Sequence, residues 1–405
     1  MANIKDIDVK GKKVLVRVDF NVPLNKQGQI TDDTRIKKAL PTIQYLLAEG
    51  AAVIVMSHLG RPQKNKDADG NIHKKKFTLK PVKKHLKWLL GNPEVHMAPD
   101  TVGGETELMA ERLEAGEVLV LENTRFYEGE SKGDEDLALR MSRLADIYIN
   151  DAFGTAHRAH ASTAVVANYF KSEEKALGFL VAEEVENADK VLKSPARPVV
   201  AIVGGAKVSD KIKLLERLIE NANMVCIGGG MAYTFVKALG GNVGKSICEN
   251  DYLDLALEIL DKAKELGTEI HLPTDTLIAD SFSNEAKVKV VPTAEIPDFW
   301  EGLDIGPDTI KAFDKVIKGA KTILWNGPMG VFEFETFSKG TFAIAQSVAD
   351  ATKAGAFSLI GGGDSVSAIN KSGLSDEVSF CSTGGGAMLE YLEGKTLPGI
   401  AAITE

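Results

Sequence analysis

The sequence predicts an α/β protein of two lobes, each a parallel sheet covered by helices, joined by a connecting helix. Its 405 residues, 44% of them hydrophobic, are too many for one typical core and enough for two. Short runs of Val, Ile and Leu alternate with longer helical patterns through nearly the whole chain, which is typical of parallel α/β structure. The strands also end differently in the two halves, in charged side chains first and in glycines later.

Composition predicts a soluble protein of a reducing cytoplasm. The N-terminus "MANIKDIDVKGKK" has no apolar signal core, and runs such as "AAVIVM" are too short to span a bilayer. The three cysteines, Cys226, Cys248 and Cys381, have no metal-binding spacing. The lysine-rich run from Asn71 to Trp88 predicts a loop leading into an exposed helix, and we expect neither a membrane nor a nucleic acid as partner.

Charge is divided unevenly along the chain, whose net charge is −9. Residues 1–172 contain 26 Lys and Arg against 23 Asp and Glu, a net charge of +3, whereas the remainder contains 22 against 34, a net charge of −12. A small anionic substrate in the first lobe is consistent with this division. A solvated surface is the commoner cause of such an imbalance.

Four strand-like runs in the first half are "KVLVRVDFNVP", "AAVIVMSHLGRP", "EVLVLENTRF" and "DIYINDAFG". The polar residues at their ends are Asp19, Asn21, His58, Arg61, Arg125 and Asp151. Five runs in the second half, "PVVAIVGG", "MVCIGGG", "TILWNGPMG", "FSLIGGGDS" and "VSFCSTGGG", end in glycine. Ligands of open parallel sheets lie beyond the carboxyl ends of the strands, so the sequence predicts one crevice in each Rossmann-like lobe.

The segment from Ala176 to Pro198 predicts the connecting helix, because its apolar residues recur at helical spacing before a Ser-Pro-Ala-Arg-Pro break. The alternative is one more surface helix on a single large sheet.

Glycine-rich turns in the second half favour a nucleotide site, because they let phosphates approach backbone N–H groups at helix starts. Any one turn is explained by a tight connection alone, and neither a Walker loop nor a dinucleotide fingerprint is present. "GGAKVSDK" places Lys207 and Lys211 at a helix start, where cations are unfavourable unless an anion is bound. If Ser209 is the N-cap, Lys211 lies in the first helical turn.

Three further glycine motifs carry candidate residues. Asp364 in "GGGDS" is a candidate Mg²⁺ ligand and equally a candidate N-cap. The run "STGGGA" offers bare N–H groups to a phosphoryl group in transfer. "WNGPMGVFEFE" adds Asn326 and Glu333, of which Glu333 is either a ribose ligand or a surface acid.

Four arginines stand next to strand ends or loop glycines in the first half: Arg35, Arg61, Arg125 and Arg158. Converging guanidinium groups would bind an acidic substrate, although any one arginine is explained by the surface, and Asp32 and Asp33 could neutralise Arg35. His157 and His160 lack a third metal ligand, which favours a hydrogen-bonding role.

The residue types indicate phosphoryl transfer, which needs positioning and charge neutralisation more than a nucleophile. No Ser/His/Asp or Cys/His set and no acid/base pair of carboxylates can be argued. The residues alone thus predict a phosphotransferase that uses a Mg²⁺ nucleotide and a small anion. The rival hypotheses are a dinucleotide oxidoreductase, which the missing fingerprint disfavours, and a non-catalytic nucleotide-binding or scaffold protein.

The ordered motifs "RVDFNVP", "SHLGRP", "ENTRF", "DAFGTAHRAHAS", "GGAKVSDK", "WNGPMGVFE", "GGGDS" and "STGGGA" resemble the phosphoglycerate kinase family over nearly the whole chain. The resemblance implies reversible Mg²⁺-dependent phosphoryl transfer from 1,3-bisphosphoglycerate to ADP, giving 3-phosphoglycerate and ATP, a step of glycolysis and gluconeogenesis. It also implies a monomer whose domains close to bring the substrates in line. The acceptor in the reverse direction is a carboxylate, which needs no general base.

The resemblance implies a set of site residues. Those for phosphoglycerate are Asp19, Phe20, Asn21, Arg35, His58, Leu59, Gly60, Arg61, Arg125 and Arg158. Those for the nucleotide are Gly205, Lys207, Lys211, Gly228, Gly229, Asn326, Glu333, Gly362, Gly363, Asp364 and Ser365, with Asp364 as the Mg²⁺ ligand. The catalytic residues would be Arg35, Lys207, Lys211, Gly384 and Gly385.

The resemblance also implies domain boundaries. Residues 1–172 would form the phosphoglycerate-binding domain, 173–195 the interdomain helix and 196–388 the nucleotide-binding domain, with 389–405 returning to the first lobe. One departure is Ser365, where threonine is usual in the family; it keeps the hydroxyl group.

Overall fold

The computed structural model describes residues 3–91 and 93–405. These form two compact units, one containing the chain up to Val185 with Thr396–Glu405, the other Glu186–Lys395. Each unit contains a six-stranded parallel sheet with helices around it. The predicted α/β class with two sheets is confirmed, and the alternative of a single large sheet is wrong.

The sheet of the first unit has the order β3-β4-β2-β1-β5-β6. Its strands are β1 (Lys13–Val18), β2 (Ala52–Met56), β3 (Val95–Met97), β4 (Val118–Val120), β5 (Ile147–Asp151) and β6 (Lys175–Leu177). The helices of this unit before the connecting segment are α1 (Thr34–Ala48), α2 (Lys74–Phe77), α3 (Lys80–Leu89), α4 (Gly104–Arg112), α5 (Gly129–Lys132) and α6 (Glu135–Ser142). The strand order reverses between β1 and β5, which is where open parallel sheets bind ligands.

The central strands β1, β2 and β5 are buried along almost their whole length, as expected for a parallel sheet covered on both faces. All four runs identified from the sequence in this half form strands of the sheet. The two short edge strands β3 and β6 were not identified, because "VHM" and "KAL" are not runs of the Val, Ile and Leu residues that marked the other strands of this sheet.

The connecting helix α7 (Phe179–Leu192) contains the boundary between the units. The sheet of the second unit has the order β10-β8-β7-β15-β16-β17. The strands of this unit are β7 (Val199–Val203), β8 (Met224–Ile227), β9 (Asn242–Val243), β10 (Glu269–His271), β11 (Asp275–Ala279), β12 (Val288–Pro292), β13 (Glu295–Ile296), β14 (Glu301–Ile305), β15 (Thr322–Asn326), β16 (Phe357–Ile360) and β17 (Phe380–Cys381).

A small antiparallel sheet, β12-β11-β14, and the pair β13-β9 complete the strands of the second unit. The helices that follow α7 are α8 (Ile212–Asn221), α9 (Met231–Ala238), α10 (Leu253–Leu266), α11 (Pro307–Lys318), α12 (Lys339–Lys353), α13 (Gly363–Ser372), α14 (Gly386–Leu392) and α15 (Pro398–Thr404). Over the part of the chain that the structure describes, none of the helices has the length and apolarity of a membrane span.

The last helix, α15, belongs to the first unit. The Asn150 side chain, from β5, donates to the carbonyl of Gly399 at 2.8 Å, and the Gly399 N–H donates to the carbonyl of Ala156 at 2.8 Å. A Cβ atom at Gly399 would lie 2.8 Å from the Thr163 side chain, so the close approach requires glycine here.

The start of α7 is fixed to the first sheet by side-chain acceptors. The N–H groups of Leu180 and Val181 donate to Asp151 Oδ1, at the end of β5, at 2.9 and 3.4 Å. The Phe179 N–H donates to Thr42 Oγ1 at 2.9 Å. A Cβ atom at Gly178 would lie 2.2 Å from the same carboxyl oxygen. The carboxyl group of Asp151 thus supplies the cap that the first turn of this helix requires.

Burial raises the pKa of Asp151 from 3.8 to about 7, against the opposing hydrogen bonds from Thr42, Val181 and Leu180. The folded state therefore binds a proton that the unfolded state releases between about pH 4 and pH 7. The contribution of this group to stability is greatest below about pH 4 and is lost as pH rises through 7. We expect Asp151→Asn, which keeps the Oδ1 acceptor, to remove this pH dependence.

Urea unfolding of the wild-type protein and Asp151→Asn from pH 4 to 8, followed by circular dichroism, measures the effect. The free energy of unfolding of the wild type should fall relative to that of the variant between pH 4 and 7. Parallel curves for the two proteins would contradict the raised pKa.

In the second unit the strand order reverses between β7 and β15, and the backbones touch where these strands end. The Gly204 N–H donates to the Asn326 carbonyl at 3.0 Å. Gly327 has a φ of +109°, and a Cβ atom on it would lie 2.1 Å from the Gly204 carbonyl oxygen. Only glycine fits this contact, because the obstructing atom is backbone.

Gly355→Ala is a matched control for Gly327→Ala, because Gly355 has a φ of +100° and open space around its Cβ position. Strained backbone alone costs about 1–3 kcal/mol, and overpacking adds about 1–3 kcal/mol more at Gly327. Thermal and urea denaturation should therefore show Gly327→Ala to be the less stable variant. Equal losses of stability would show that the contact imposes no constraint.

Candidate active site

The polar strand ends of the first unit converge at the edge where its sheet order reverses. Asp19 and Asn21 follow β1, and His58 follows β2. Arg125 lies in the 3₁₀ turn after β4, and Arg35 lies in the first turn of α1. Asp19, His58, Arg35 and Arg125 lie close enough for their charges to interact. Arg125 also interacts with Arg61, and His160 interacts with Arg158.

The backbone at Gly60 is held from both sides by predicted site residues. Its N–H donates to Asn21 Oδ1 at 2.8 Å, and its carbonyl accepts from Arg125 Nη1 at 2.8 Å. Gly60 has a φ of +63°, and a Cβ atom would lie 2.7 Å from the ring of Phe77, so glycine is required. These bonds fix the loop after β2 against the loops after β1 and β4.

Phe20 and Leu59 contribute to this crevice as packed residues. Their side chains are buried, at 0% and 3% exposure. The Phe20 N–H donates to Ser57 Oγ at 2.9 Å, and the Leu59 N–H donates to Asn123 Oδ1 at 3.1 Å. Both residues thus fix the backbone next to the polar side chains.

Arg35 forms an ion pair with Asp19, with 2.6 Å between Arg35 Nη1 and Asp19 Oδ2. The alternative that Asp32 and Asp33 neutralise Arg35 is wrong for Asp33, which pairs with Lys37 and His85 instead. The charge of Arg35 still acts on Asp32. Burial raises the pKa of Asp19, but the charges of His58 when protonated, Arg35 and Arg17 outweigh burial and hold that pKa below 3.8.

Arg17 is a residue of this crevice that the sequence analysis missed. It is 0% exposed and donates to the carbonyl of Val18, to Ser162 Oγ at 2.7 Å and to His58 Nδ1 at 3.2 Å. The buried carboxylate of Glu130 accepts from the Ser162 hydroxyl at 2.6 Å and from its N–H at 3.0 Å. The available signal was a charged residue within the apolar strand "KVLVRV".

The crevice has an excess of positive charge. Within residues 3–91 and 93–405, no carboxylate oxygen lies within 4.0 Å of the charged nitrogens of Arg61, Arg125 or Arg158, whereas Asp19 pairs with Arg35. Arg61 and Arg158 are exposed, and Arg125 is half-buried. Guanidinium groups without carboxylate partners are suited to binding an anion with several negative charges.

The histidines that follow β5 form no metal site with the described part of the chain, where no three His, Cys, Asp or Glu side chains cluster suitably. Burial lowers the pKa of His160 to about 4, with Glu130 opposing, so His160 is neutral near pH 7. A hydrogen-bonding role for His157 and His160 stays a prediction.

The second unit contains a hollow of about 360 Å³ where β7 and β15 end. Four predicted nucleotide residues line it: Gly205, Gly229, Glu333 and Asp364. Gly228 lies beside it, where a Cβ atom would be 2.4 Å from Met329 Sδ. The sequence analysis missed the apolar part of the lining, which includes Tyr233, Ile247, Phe282, Leu303, Met329 and Val331.

Lys211 immediately precedes α8, and its ammonium group contacts Asn326 Oδ1. Burial lowers the pKa of Lys211, while the carboxylates of Asp364, Asp210 and Glu393 oppose this effect. Lys207 lies in the exposed loop four residues earlier. Both lysines thus lie at the helix start as predicted.

Ser209 is not the N-cap of α8, and Lys211 is not in its first turn, because the helix begins later, at Ile212. Ser209 is instead bound to Glu249, which accepts from the Ser209 N–H at 3.0 Å and from its hydroxyl at 2.6 Å.

The "GGGDS" motif forms the start of α13. Gly362, with a φ of +89°, is the N-cap, so the N-cap alternative for Asp364 is wrong and its exposed carboxylate lies in the first turn. Gly363 is the first residue of the helix. The Ser365 hydroxyl is buried and accepts from the Gly327 N–H at 2.5 Å, which fixes the loop after β15.

Gly384 and Gly385 precede the short helix α14. Gly385 is the N-cap, with a φ of +51°. The Gly384 N–H donates to Ser382 Oγ at 3.0 Å, so this amide is engaged within its own loop. The Gly384 N–H would have to leave Ser382 before it could donate to a phosphoryl group, as its predicted role requires.

Comparison with known proteins identifies the family of the chain. The sequence model of the family described as "Phosphoglycerate kinase" matches residues 4–395. The phosphoglycerate kinases of Synechococcus sp. (strain JA-2-3B'a(2-13)) and Thermosipho africanus (strain TCF52B) are each 52% identical to this chain. The first alignment covers 98% of this chain and 96% of the Synechococcus protein. The second covers 99% of this chain and 97% of the Thermosipho protein.

Solved structures give the same result. The phosphoglycerate kinase from Coxiella burnetii superposes with a TM-score of 0.88 at 42% identity, over 99% of this chain and 98% of that one. The phosphoglycerate kinase from Pyrococcus horikoshii OT3 superposes with a TM-score of 0.81 at 32% identity, over 100% and 98%. The chain therefore belongs to the phosphoglycerate kinase family and is a phosphotransferase whose acceptor is a carboxyl group.

Proposed function

We propose that the chain catalyses the reversible, Mg²⁺-dependent transfer of a phosphoryl group between 1,3-bisphosphoglycerate and ADP, giving 3-phosphoglycerate and ATP. The observation that carries the proposal is the pairing of two unlike crevices. The first has an excess of guanidinium groups, and the second is a glycine-lined hollow with lysines and one acid at its helix starts. An anionic acceptor fits the first, and a nucleotide fits the second.

The phosphoglycerate site in this proposal is the crevice of the first unit. Arg61, Arg125 and Arg158 neutralise the phosphate and carboxylate of the substrate, and Asn21 and Gly60 fix the loop on which it rests. Arg35 uses one donor for Asp19, which leaves four of its five N–H groups for the phosphoryl group in transfer. Asp19 in turn holds the guanidinium in place.

The nucleotide site is the hollow of the second unit. Gly205, Gly228 and Gly229 allow close approach of the backbone, and Glu333 accepts from the ribose hydroxyl groups. Lys207 and Lys211 neutralise the phosphates and the group in transfer. Gly384 and Gly385 offer N–H groups to the same charge, once the Gly384 amide leaves Ser382.

Asp364 fits a Mg²⁺ ion that is shared with nucleotide phosphates, because such an ion takes one or two carboxylates and keeps several waters. Its carboxylate is exposed at the edge of the hollow, and its negative charge interacts with the ammonium group of Lys211. The ion, when bound, neutralises phosphate charge. Asn326 holds Lys211 at the same place, and Ser365 holds the loop after β15.

The same proposal includes domains of residues 1–172 and 196–388, an interdomain helix of residues 173–195 and a returning segment of residues 389–405. It also includes domain closure that aligns the substrates, and a monomer. A cytosolic location is supported by the cytosolic phosphoglycerate kinases of Nicotiana tabacum and Triticum aestivum, which are each 50% identical to this chain.

Incubation with Mg-ATP, followed by measurement of ADP release, tests the reaction and the metal together. Release should require 3-phosphoglycerate and disappear with EDTA. The variant Asp364→Asn should need a higher Mg²⁺ concentration for half-maximal rate, because the ion loses its carboxylate ligand from the protein. Asp376→Asn, at an exposed acid of the same unit, should need no more Mg²⁺ than the wild type. ADP release from folded protein without 3-phosphoglycerate would contradict the assigned acceptor.

Arg35→Ala should lower kcat by about 100-fold or more, the usual effect of removing one donor to a developing charge. Its free energy of unfolding should fall by much less than the activation free energy rises, because the side chain is 41% exposed and its only ion pair with the described part of the chain is the one with Asp19. Arg143→Ala, at an exposed arginine of the same unit, is the control and should leave both quantities unchanged. Steady-state kinetics and urea unfolding of the two variants measure the effects; equal losses of turnover and stability would refute the catalytic role of Arg35.

A further inference from the structure

The ring of His58 has one nitrogen facing a group that cannot accept a hydrogen bond. Its Nδ1 lies 3.2 Å from Arg17 Nη2. A guanidinium group has five donors and no acceptor, and it stays protonated in proteins. The Nδ1 atom must therefore be the acceptor, and the ring proton must be on Nε2.

We propose that Arg17 is a positioning residue that holds His58 as the neutral Nε2–H tautomer, so that His58 meets the anionic substrate as an uncharged hydrogen-bond donor. The part that concerns substrate rests on the proposed function, in which His58 belongs to the phosphoglycerate site. The part that concerns the tautomer rests on the geometry of the protein alone.

Arg17 can perform this role because its guanidinium group is fixed on its other edges. It donates to the carbonyl of Val18 and to Ser162 Oγ, and it is 0% exposed. Ser162 in turn donates to Glu130, which also accepts from Thr124 Oγ1 at 3.3 Å. The carboxylate of Glu130 supplies the negative charge that a buried guanidinium group requires.

The charges around His58 favour the same state. Burial at 3% exposure is the largest cause that lowers its pKa, and the positive charges of Arg17, Arg125 and Arg35 act in the same direction. Among the main charges that act on His58 from the described residues, Asp19 opposes this shift, and it is already paired with Arg35. The pKa of His58 lies well below 6.5, so the ring stays neutral through the physiological range.

A neutral donor has a functional consequence. An imidazolium ion would add a further positive charge beside several guanidinium groups and would lose the bond from Arg17. The neutral Nε2–H group gives the substrate a hydrogen bond without that repulsion. Protonation of His58 then makes no contribution to the pH dependence of KM for 3-phosphoglycerate between pH 6 and 8.

The wild-type protein labelled with ¹⁵N-histidine tests the tautomer directly. Two-bond ¹H–¹⁵N spectra distinguish a protonated ring nitrogen from a bare one, and His58→Gln identifies the signal. We expect a bare Nδ1 and a protonated Nε2 from pH 5.5 to 8. A signal that titrates near pH 6.5, or one from the Nδ1–H tautomer, would overturn the inference.

The role of the Arg17 network is tested by Ser162→Ala, with Ser142→Ala as the matched control. Ser142 is a buried serine of the same unit, and its hydroxyl bonds only within its own helix. Ser162→Ala should give mixed tautomers of His58 and a severalfold rise in KM for 3-phosphoglycerate with a smaller change in kcat. Ser142→Ala should give neither. A wild-type spectrum for Ser162→Ala would refute positioning through this network.

Addition of 3-phosphoglycerate to the labelled protein separates this inference from the proposed function. A downfield shift of the His58 Nε2–H proton, with Nδ1 still bare, supports both. No change on saturation would overturn the substrate contact of His58 and that part of the proposed function, while the spectrum of the free protein would still decide the tautomer.

Discussion

The first unit depends on satisfying one buried charge. A guanidinium group without partners is very costly to bury, yet Arg17 is fully buried in the central strand β1. Its donors reach the backbone of β1, His58 after β2 and Ser162 after β5, and Glu130 balances its charge through Ser162. Three of the segments that carry or adjoin substrate-binding candidates are therefore tied together by one set of bonds. The exposed arginines around it are left to meet an anion.

The candidate site of the second unit is built by the opposite means. Its strand ends approach so closely that side chains are excluded, as at Gly204 and Gly327, and at Gly229, where a Cβ atom would lie 2.7 Å from the Gly205 nitrogen. In the proposed nucleotide site, backbone N–H groups and helix starts then take the place of charged side chains. Lys211 is held at this site by Asn326. These glycines tolerate little substitution, because an added side chain would collide with the backbone that forms the walls of the hollow.

Much of this could be predicted from the sequence, because polar or glycine residues after apolar runs mark the carboxyl ends of parallel strands. All nine runs named from the sequence form sheet strands, and most of the predicted residues lie at the two crevices. Arg17 was missed because strand periodicity treats a charged residue in an apolar run as an irregularity, and only tertiary structure supplies its partners. The start of α8 was misplaced because the side chain that engages Ser209, Glu249, is 40 residues away.

The apolar lining of the hollow in the second unit could not be predicted for a related reason. Tyr233, Phe282 and Leu303 come from separate elements, and nothing in their local sequence distinguishes them from core residues. The central claim, that Arg17 orders the site without touching the substrate, is tested most directly by a crystal structure with 3-phosphoglycerate bound. The account predicts ligand oxygens against His58 Nε2 and the exposed arginines, with the bond from Arg17 to His58 intact. Ligand bound elsewhere, or Arg17 turned toward it, would contradict the account.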